Sequence, residues 1–376
     1  MAKIQRVAVV GAGPAGLAIA ILLREAGFDV RVYERAEPGG SGGSGLTLWP
    51  NAIRALEAMG AAEEVLAASG TGDGLRMRRA DGVVLQALTA KEMEDRCGGL
   101  GRAMRRADLI RVLIDRLGER HVEFGAPCVR AGEGKHGAWL RFADGREAEA
   151  DLVIGADGVR SVVRSALCGE DPLNYLGYAV VRGVARLPGP RLPATMSLGR
   201  GKQAGLFAMR GDRVYWFTAF ATPPDGGTDP RPHLEAFSEW HQPIPDVIDA
   251  TDPGDLVFTR IHDRVPLRRW GTGRLVLAGD AAHPSAPTLG QGTCQAFEDA
   301  IALRDAFGAA NDLGEVFRRY EAERVRRAGA LTLRARRMGT LGQWRNPVLC
   351  AVRDRAIRWT PRWAQVRQLR EMFGTA

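Results

Sequence analysis

Paired cysteines are missing from this chain. Cys97, Cys128, Cys168, Cys294 and Cys350 lie far apart, with neither a disulfide rhythm nor the short spacings of a zinc site. That excludes a disulfide-framed secreted scaffold and points to a reducing, cytoplasmic setting. The six histidines include no pair at metal-ligand spacing, so no metal is expected. No apolar run is long enough to cross a bilayer, and the apolar N-terminus reads as strand, glycine turn and helix rather than a secretion signal. Lysine is scarce, occurring only as Lys3, Lys91, Lys135 and Lys202 among 52 basic residues. The arginines that make up the rest bring the net charge to +8 and the pI to about 9.6, which favours anionic ligands. No basic cluster is interleaved with aromatics, so single-stranded nucleic acid is not an expected partner. No internal repeat is visible. A chain of 376 residues can bury a large core and allows two or three domains.

What is present is a series of three glycine-and-acid signatures. The first is Gly11-Ala12-Gly13-Pro14-Ala15-Gly16. Ile4–Val10 before it is short, apolar and β-branched, which predicts a buried strand. Leu17–Leu23 reads as a helix ending near Gly27, and Val30–Tyr33 as a second strand that delivers Glu34 and Arg35. In that setting Gly11 makes a tight turn, Gly13 lets backbone approach a pyrophosphate, and Gly16 lets helix and strand pack closely. The pyrophosphate would meet free N–H groups at the positive end of the helix dipole, and Glu34 would accept hydrogen bonds from a ribose. The second signature, Gly155-Ala156-Asp157-Gly158, follows an apolar strand and precedes a basic helix start that includes Arg160 and Arg164. The third, Gly279-Asp280-Ala281-Ala282-His283, ends another apolar strand. Pro287 follows it, and Gly290-Gln291-Gly292 then opens a helix. Each signature is weak alone. In this order they describe one long cofactor held at both ends.

On these residues the chain resembles the FAD-dependent monooxygenases of the para-hydroxybenzoate hydroxylase type, the single-component aromatic hydroxylases, over residues 4–335. The resemblance implies an α/β fold: a Rossmann-like FAD-binding domain with a parallel sheet, interleaved with a mostly antiparallel β-sheet substrate domain, and a helical C-terminus. The expected organisation assigns residues 1–71, 97–171 and 271–335 to the FAD-binding domain. Residues 72–96 and 172–270 then form the substrate-binding domain, and 336–376 a C-terminal helical segment. Cofactor contacts are implied for Gly11, Gly13, Ala15, Gly16, Glu34, Arg35, Arg106, Asp157, Gly158, Gly279, Asp280, Pro287, Gly290 and Gly292. Asp157 would lie near the pyrophosphate and the nicotinamide nucleotide, Asp280 would hydrogen-bond the ribityl chain, and Arg106 would reach the flavin from a helix start. A helix opening near Gly290–Thr293 would aim its dipole at the negative charge of reduced flavin, worth about 0.3–2 kcal/mol. Pro287 donates no backbone hydrogen bond and has a fixed φ; in similar enzymes this stretch covers the reactive face of the flavin. His283 is expected to be structural rather than a base.

The chemistry implied is specific. NAD(P)H reduces the flavin, O2 adds at C4a, and the hydroperoxide passes one oxygen to an electron-rich carbon of a phenol, indole, quinolone or enol. Water must be excluded. The expected function is therefore NAD(P)H- and O2-dependent hydroxylation of an aromatic or heteroaromatic small molecule, in secondary-metabolite tailoring because the pocket reads as apolar. Epoxidation, Baeyer–Villiger insertion and a non-oxygenating flavin oxidoreductase are the alternatives. The Trp-x-Trp-x-Ile-Pro motif of flavin halogenases is absent. Expected partners are that substrate, O2 and NAD(P)H, with no membrane contact, in a monomer or homodimer.

Between the second and third signatures, Val180–Val184, Gly205–Met209 and Val214–Phe220 read as strands of an antiparallel sheet flooring a substrate pocket. Residues 223–232 read as a loop and His233–His241 as a short helix. Along Val214–Phe220, alternation leaves two faces open: Tyr215, Phe217 and Ala219, or Val214, Trp216, Thr218 and Phe220. Candidate polar contacts are Arg182, Tyr215 and Tyr178, with Phe207 and Met209 as walls. Arg182 and Tyr215, with Pro287, are the candidate catalytic residues. An arginine within an apolar strand calls for an anionic partner. Glu37–Gly45 resembles a flexible glycine-serine linker, with Gly40 where related proteins often have a basic residue. Asn51 is expected to cap a helix. The tail, with Trp344, Trp359 and Trp363 among arginines, is expected to pack as helices across the flavin domain.

Overall fold

Apolar side chains on both faces of the strand Arg6–Val10 demand cover on both sides, and a parallel sheet forms around it. In the computed structural model, which describes residues 4–39, 44–135, 137–189 and 191–375, this sheet has six strands. Their order is 271–272, 275–277, 152–155, 6–10, 29–33 and 122–123. All neighbours are parallel except the edge hairpin Gly271–Thr272 with Leu275–Leu277. Helix Pro14–Glu25 is buried along ten consecutive residues, Pro14 to Leu23, because it lies between the sheet and its neighbouring helices Arg106–Leu117 and Gly292–Ala309. The three signatures all end strands of this sheet or open the segments that follow them.

The second large sheet has seven strands, ordered 257–263, 174–186, 213–221, 202–208, 194–198, 75–79 and 84–88. Its pairings are antiparallel except Ala194–Leu198 with Leu75–Arg79, which run parallel. The alternation left open in the sequence is decided here. Trp216 and Phe220 turn outward into a separate apolar cluster with Phe237, Ile244 and Val247. Tyr215, Phe217 and Ala219 face the cavity described below. Phe207 and Tyr178 join them there, but Met209, one residue beyond the strand Lys202–Ala208, lines a different depression.

Three expectations need correction or restriction. The helix Pro50–Ala58 is capped by Trp49, with Pro50 supplying the first-turn φ. Asn51 is therefore inside it, buried, and donates through Nδ2 to Gln291 at 3.0 Å and Glu298 at 2.6 Å. His233–His241 is not one helix, because the helix Arg231–Leu234 passes into a 3-10 turn, Glu235–Phe237. Within the glycine-serine segment, residues 40–43, including Gly40, lie outside the described residues.

The last two C-terminal helices pack on the strand Val84–Leu88 and the helix Ala90–Cys97 of the expected substrate domain, and reach the flavin part only at their end. Helix Leu313–Gly342 is followed by Pro347–Trp359 and Arg362–Phe373. Phe373 is buried and stacks on Trp49 at 5.1 Å between ring centroids. Arg54 Nη2 donates to the Phe373 carbonyl at 2.5 Å. Trp359 and Trp363 remain exposed, at 74% and 68%. No helix of the described residues is long and apolar enough to cross a membrane.

Candidate functional site

The three signatures converge because their glycines permit backbone contacts that a side chain would block. A Cβ on Gly16 would lie 1.9 Å from the Gly11 carbonyl oxygen, and one on Gly11 would lie 2.5 Å from the Ala156 carbonyl oxygen. Gly11 also has φ +103°, a conformation that favours glycine. A Cβ on Gly279, where φ is +58°, would lie 2.8 Å from the Ala15 Cβ. First, second and third signatures therefore touch one another around the N-terminus of helix Pro14–Glu25. Arg106 completes the junction. Its Nη2 would be 3.6 Å from a Cβ on Gly13, and the charges that bear on it are Asp280, Glu34 and Arg182. Burial pulls the Arg106 pKa down from its ordinary value, and the two carboxylates offset part of that.

The acids of the signatures differ in what they do locally. Glu34 accepts the Ala12 N–H at 2.7 Å and the Ala36 N–H at 2.9 Å, one on each carboxylate oxygen. It thereby holds the glycine turn against the chain leaving the second strand, with a lone pair on each oxygen to spare. Arg35, next to it, is exposed. Asp157 accepts from the Ser161 hydroxyl, at 2.5 Å, and from the Val162 N–H, at 2.6 Å. It so buttresses the start of helix Val162–Cys168. Burial raises its pKa, against those hydrogen bonds. Asp280 is surrounded by protein and its pKa is raised by burial, with His283 and Arg106 pulling it back. Its carboxyl nonetheless faces open space, because it borders the central cavity.

That cavity has a volume of about 1050 Å³. One end is formed by Gly45–Thr47, Arg106, Asp280, Pro287, Gly290 and Gly292. Pro287–Leu289 is a 3-10 turn pinned to the long C-terminal helix by Thr288 Oγ1, which donates to the Ala335 carbonyl at 2.7 Å. Helix Gly292–Ala309 opens with no side-chain cap, leaving its first N–H groups free of one. The floor is the inner face of the seven-stranded sheet, where Arg182 donates to Thr259 Oγ1 at 3.2 Å. Among the described residues Arg182 pairs with no carboxylate, although it lines the cavity. Burial raises the Tyr215 phenol, and Arg182 beside it draws it part of the way back. Tyr178 is likewise raised by burial, and its hydroxyl has no hydrogen-bond partner among the described residues. Of the expected site residues, then, Arg106, Asp280, Pro287, Gly290, Gly292, Arg182 and Tyr215 border this one space. Burial pushes the Cys128 thiol up to about 11 and Cys294 up to about 12.

Sequence reasoning missed the network beneath the third signature. Asp299, fully buried, accepts from the Gly279 N–H at 2.8 Å, engages His283 Nε2 at 2.6 Å and receives Arg324 Nε at 2.8 Å. His283 is thus a buried structural partner. Arg324 also bridges to Glu298 and to Gln295 Oε1, the latter at 2.7 Å. A signal was available: Arg324 lies in register with Phe317, Tyr320, Ala328 and Leu331, at an apolar-face position of its helix.

A family model described as an FAD binding domain matches residues 5–335. Aurachin C monooxygenase/isomerase of Stigmatella aurantiaca is 37% identical over 359 residues, covering 94% of this chain and 93% of its own. The 3-amino-4-hydroxybenzoate 2-monooxygenase of Streptomyces cremeus is 37% identical over 370 residues, covering 94% and 92%. The crystal structure of Klebsiella pneumoniae HpxO complexed with FAD and uric acid superposes with a TM-score of 0.91 at 28% identity, covering 99% of this chain and 97% of that one. With three signatures meeting at one junction, and a match running nearly end to end, the chain belongs to the FAD-dependent monooxygenases of the para-hydroxybenzoate hydroxylase type.

Proposed function

We propose that Gly11–Gly16, Glu34, Arg106, Asp157, Gly158, Asp280 and Gly290–Gly292 hold FAD, and that Arg182 and Tyr215 orient an aromatic or heteroaromatic substrate against it. Several features of the molecule fit a flavin dinucleotide. Cβ atoms on Gly158 or Gly292 would meet nothing within 4 Å, so backbone at these turns borders open space. The uncapped helix start at Gly292 and the Arg106 guanidinium put positive potential at the same end of the cavity. Asp280 supplies an acceptor between them. Arg35, exposed and beside Glu34, would lie at the adenosine end. When bound, FAD supplies the redox chemistry that splits O2, with NAD(P)H as reductant.

The protein's own part is binding, orientation and exclusion of water. Arg182 carries the reading: an arginine of the sheet floor that lines the cavity and pairs with no carboxylate among the described residues is suited to a substrate oxygen that bears negative charge. Holding a phenolate or enolate there makes the neighbouring ring carbon nucleophilic. Pro287 and its neighbours wall off the flavin end, since a prolyl nitrogen offers solvent no N–H. The enzyme would act as a monomer or homodimer in a reducing cytoplasm.

The test is stopped-flow reduction of the yellow protein by NADPH and by NADH, with a panel of phenolic and heteroaromatic compounds. A compound that speeds reduction many-fold and leaves as a product heavier by one oxygen supports hydroxylation. Bound flavin that neither nucleotide reduces, with every compound, would sink it. Arg182→Met is expected to retain flavin while weakening substrate binding about 10- to 100-fold, the worth of one hydrogen bond to a charged group. Titration followed by the flavin spectrum measures it, and unchanged affinity would remove Arg182 from the substrate.

A further inference from the structure

The cavity does not end where a ring compound would. One row of cross-strand neighbours crosses six of the seven strands of this sheet: Arg182, Phe217, Gly205, Met196, Met77 and Gln86. Every member of the row that has a side chain borders the cavity, as direct partners on adjacent strands point to the same face. Five strand spacings separate its ends, about 24 Å at ~4.8 Å each. A bicyclic nucleus held by Arg182 covers about two of them, roughly 10 Å. Beyond that the row is apolar as far as Gln86, whose Nε2 is engaged by the Ile357 carbonyl at 2.6 Å.

The opposite wall is mixed: Leu341 of the long helix and Leu369 and Met372 of the last helix border the same space, beside Arg334, Arg353, Gln365 and Gln368 of the C-terminal helices. Leu341, Leu369, Phe217, Met196 and Met77 are only half-buried although they face inward. Inward-facing apolar side chains left uncovered mark a place for an apolar ligand.

We propose that the substrate carries a long apolar substituent, with its polar ring at Arg182 and its tail along Phe217, Met196 and Met77 beneath the C-terminal helices. This rests on the reading of Arg182 given above. The tail channel selects chain length, while the ring end selects the reacting group.

The experiment titrates the flavin-loaded enzyme with phenol and with 4-ethyl-, 4-butyl-, 4-heptyl- and 4-nonylphenol. Both the flavin spectrum and tryptophan fluorescence are read, the latter because Trp49 and Trp344 line the cavity. The dissociation constant is expected to fall about fourfold per added methylene until the channel is filled. Met77→Trp, and independently Leu341→Trp, should end that gain near butyl, with flavin content as the control for folding. Affinity that is flat or falls beyond ethyl, in protein that holds flavin and is reduced by NAD(P)H, overturns the tail and leaves the hydroxylase reading standing. Loss of the chain-length gain in neither variant places the tail elsewhere and overturns the channel. Protein that cannot be loaded with flavin instead fails the hydroxylase reading, and the fluorescence titration still decides the channel.

Discussion

Gly16→Ala is expected to purify without the yellow colour of bound flavin. The added methyl would stand 1.9 Å from the Gly11 carbonyl oxygen and 3.2 Å from Val9 Cγ1. The nearest obstacle is backbone, which cannot rotate away as a flexible side chain does. Helix Pro14–Glu25 must therefore lift off the first strand, taking its N-terminal N–H groups out of line with the pyrophosphate they are proposed to hold. Overpacking of this kind costs about 3 kcal/mol of stability. Losing two hydrogen bonds to a charged phosphate, at about 1.5–3 kcal/mol each, lowers flavin affinity by at least about 100-fold. Flavin content per protein and the affinity of the apoprotein for added FAD check this. Gly308→Ala is the control, since nothing lies within 4 Å of its new Cβ, and a glycine near the end of helix Gly292–Ala309 gains up to about 1 kcal/mol on becoming alanine. Full flavin retention in Gly16→Ala would show that the close approach of helix and strand is dispensable.

Arg324→Met is expected to destabilise the protein by about 3–5 kcal/mol, the usual cost of stranding a buried charge, for a fall in Tm of roughly 4–6 °C in a chain of 376 residues. Asp299 is the charge stranded. Burial drives its carboxyl up, but His283 and Arg324 together more than offset that and hold it below the ordinary range. A folded pKa below the unfolded value of about 3.9 means that Asp299 contributes stability above that pH and loses it as the pH falls through the folded pKa. In the variant burial acts with only His283 against it, so Asp299 takes up its proton at a higher pH. The difference in Tm between the two proteins is then expected to be largest near neutrality and to shrink as pH approaches about 4. A difference independent of pH would mean that lost packing, not the stranded carboxylate, carries the effect. Because Asp299 also holds the Gly279 N–H, the variant should lose flavin more readily than it loses helix content.

The cofactor end of this protein was legible from local sequence because its requirements are local. Gly11 is needed for its own positive φ and Gly16 for the close approach of the Gly11 carbonyl within the same turn, and an acid at 34 stands one residue beyond its own strand. The seven-stranded sheet was legible only in part. Val214–Phe220 announced a strand, yet alternation is symmetric between its two faces, and the choice of Tyr215 and Phe217 over Trp216 depends on what packs on each side. Asn51 shows the same limit in reverse: a good capping residue was drawn inside its helix because Pro50 starts the helix one turn position earlier and Gln291 and Glu298 wait for its amide.

The sequence by itself determined the cofactor class, the parallel sheet around residues 6–10 and the presence of an apolar, arginine-bearing sheet. Tertiary structure alone decided that Arg182 and Asp280 share one cavity, that Arg324 is paired, and that Phe217, Met196 and Met77 line up. The physical reason is separation along the chain. Arg182 meets Phe217, and Met196 meets Met77, only through strand register, and register is set by which faces the whole molecule buries.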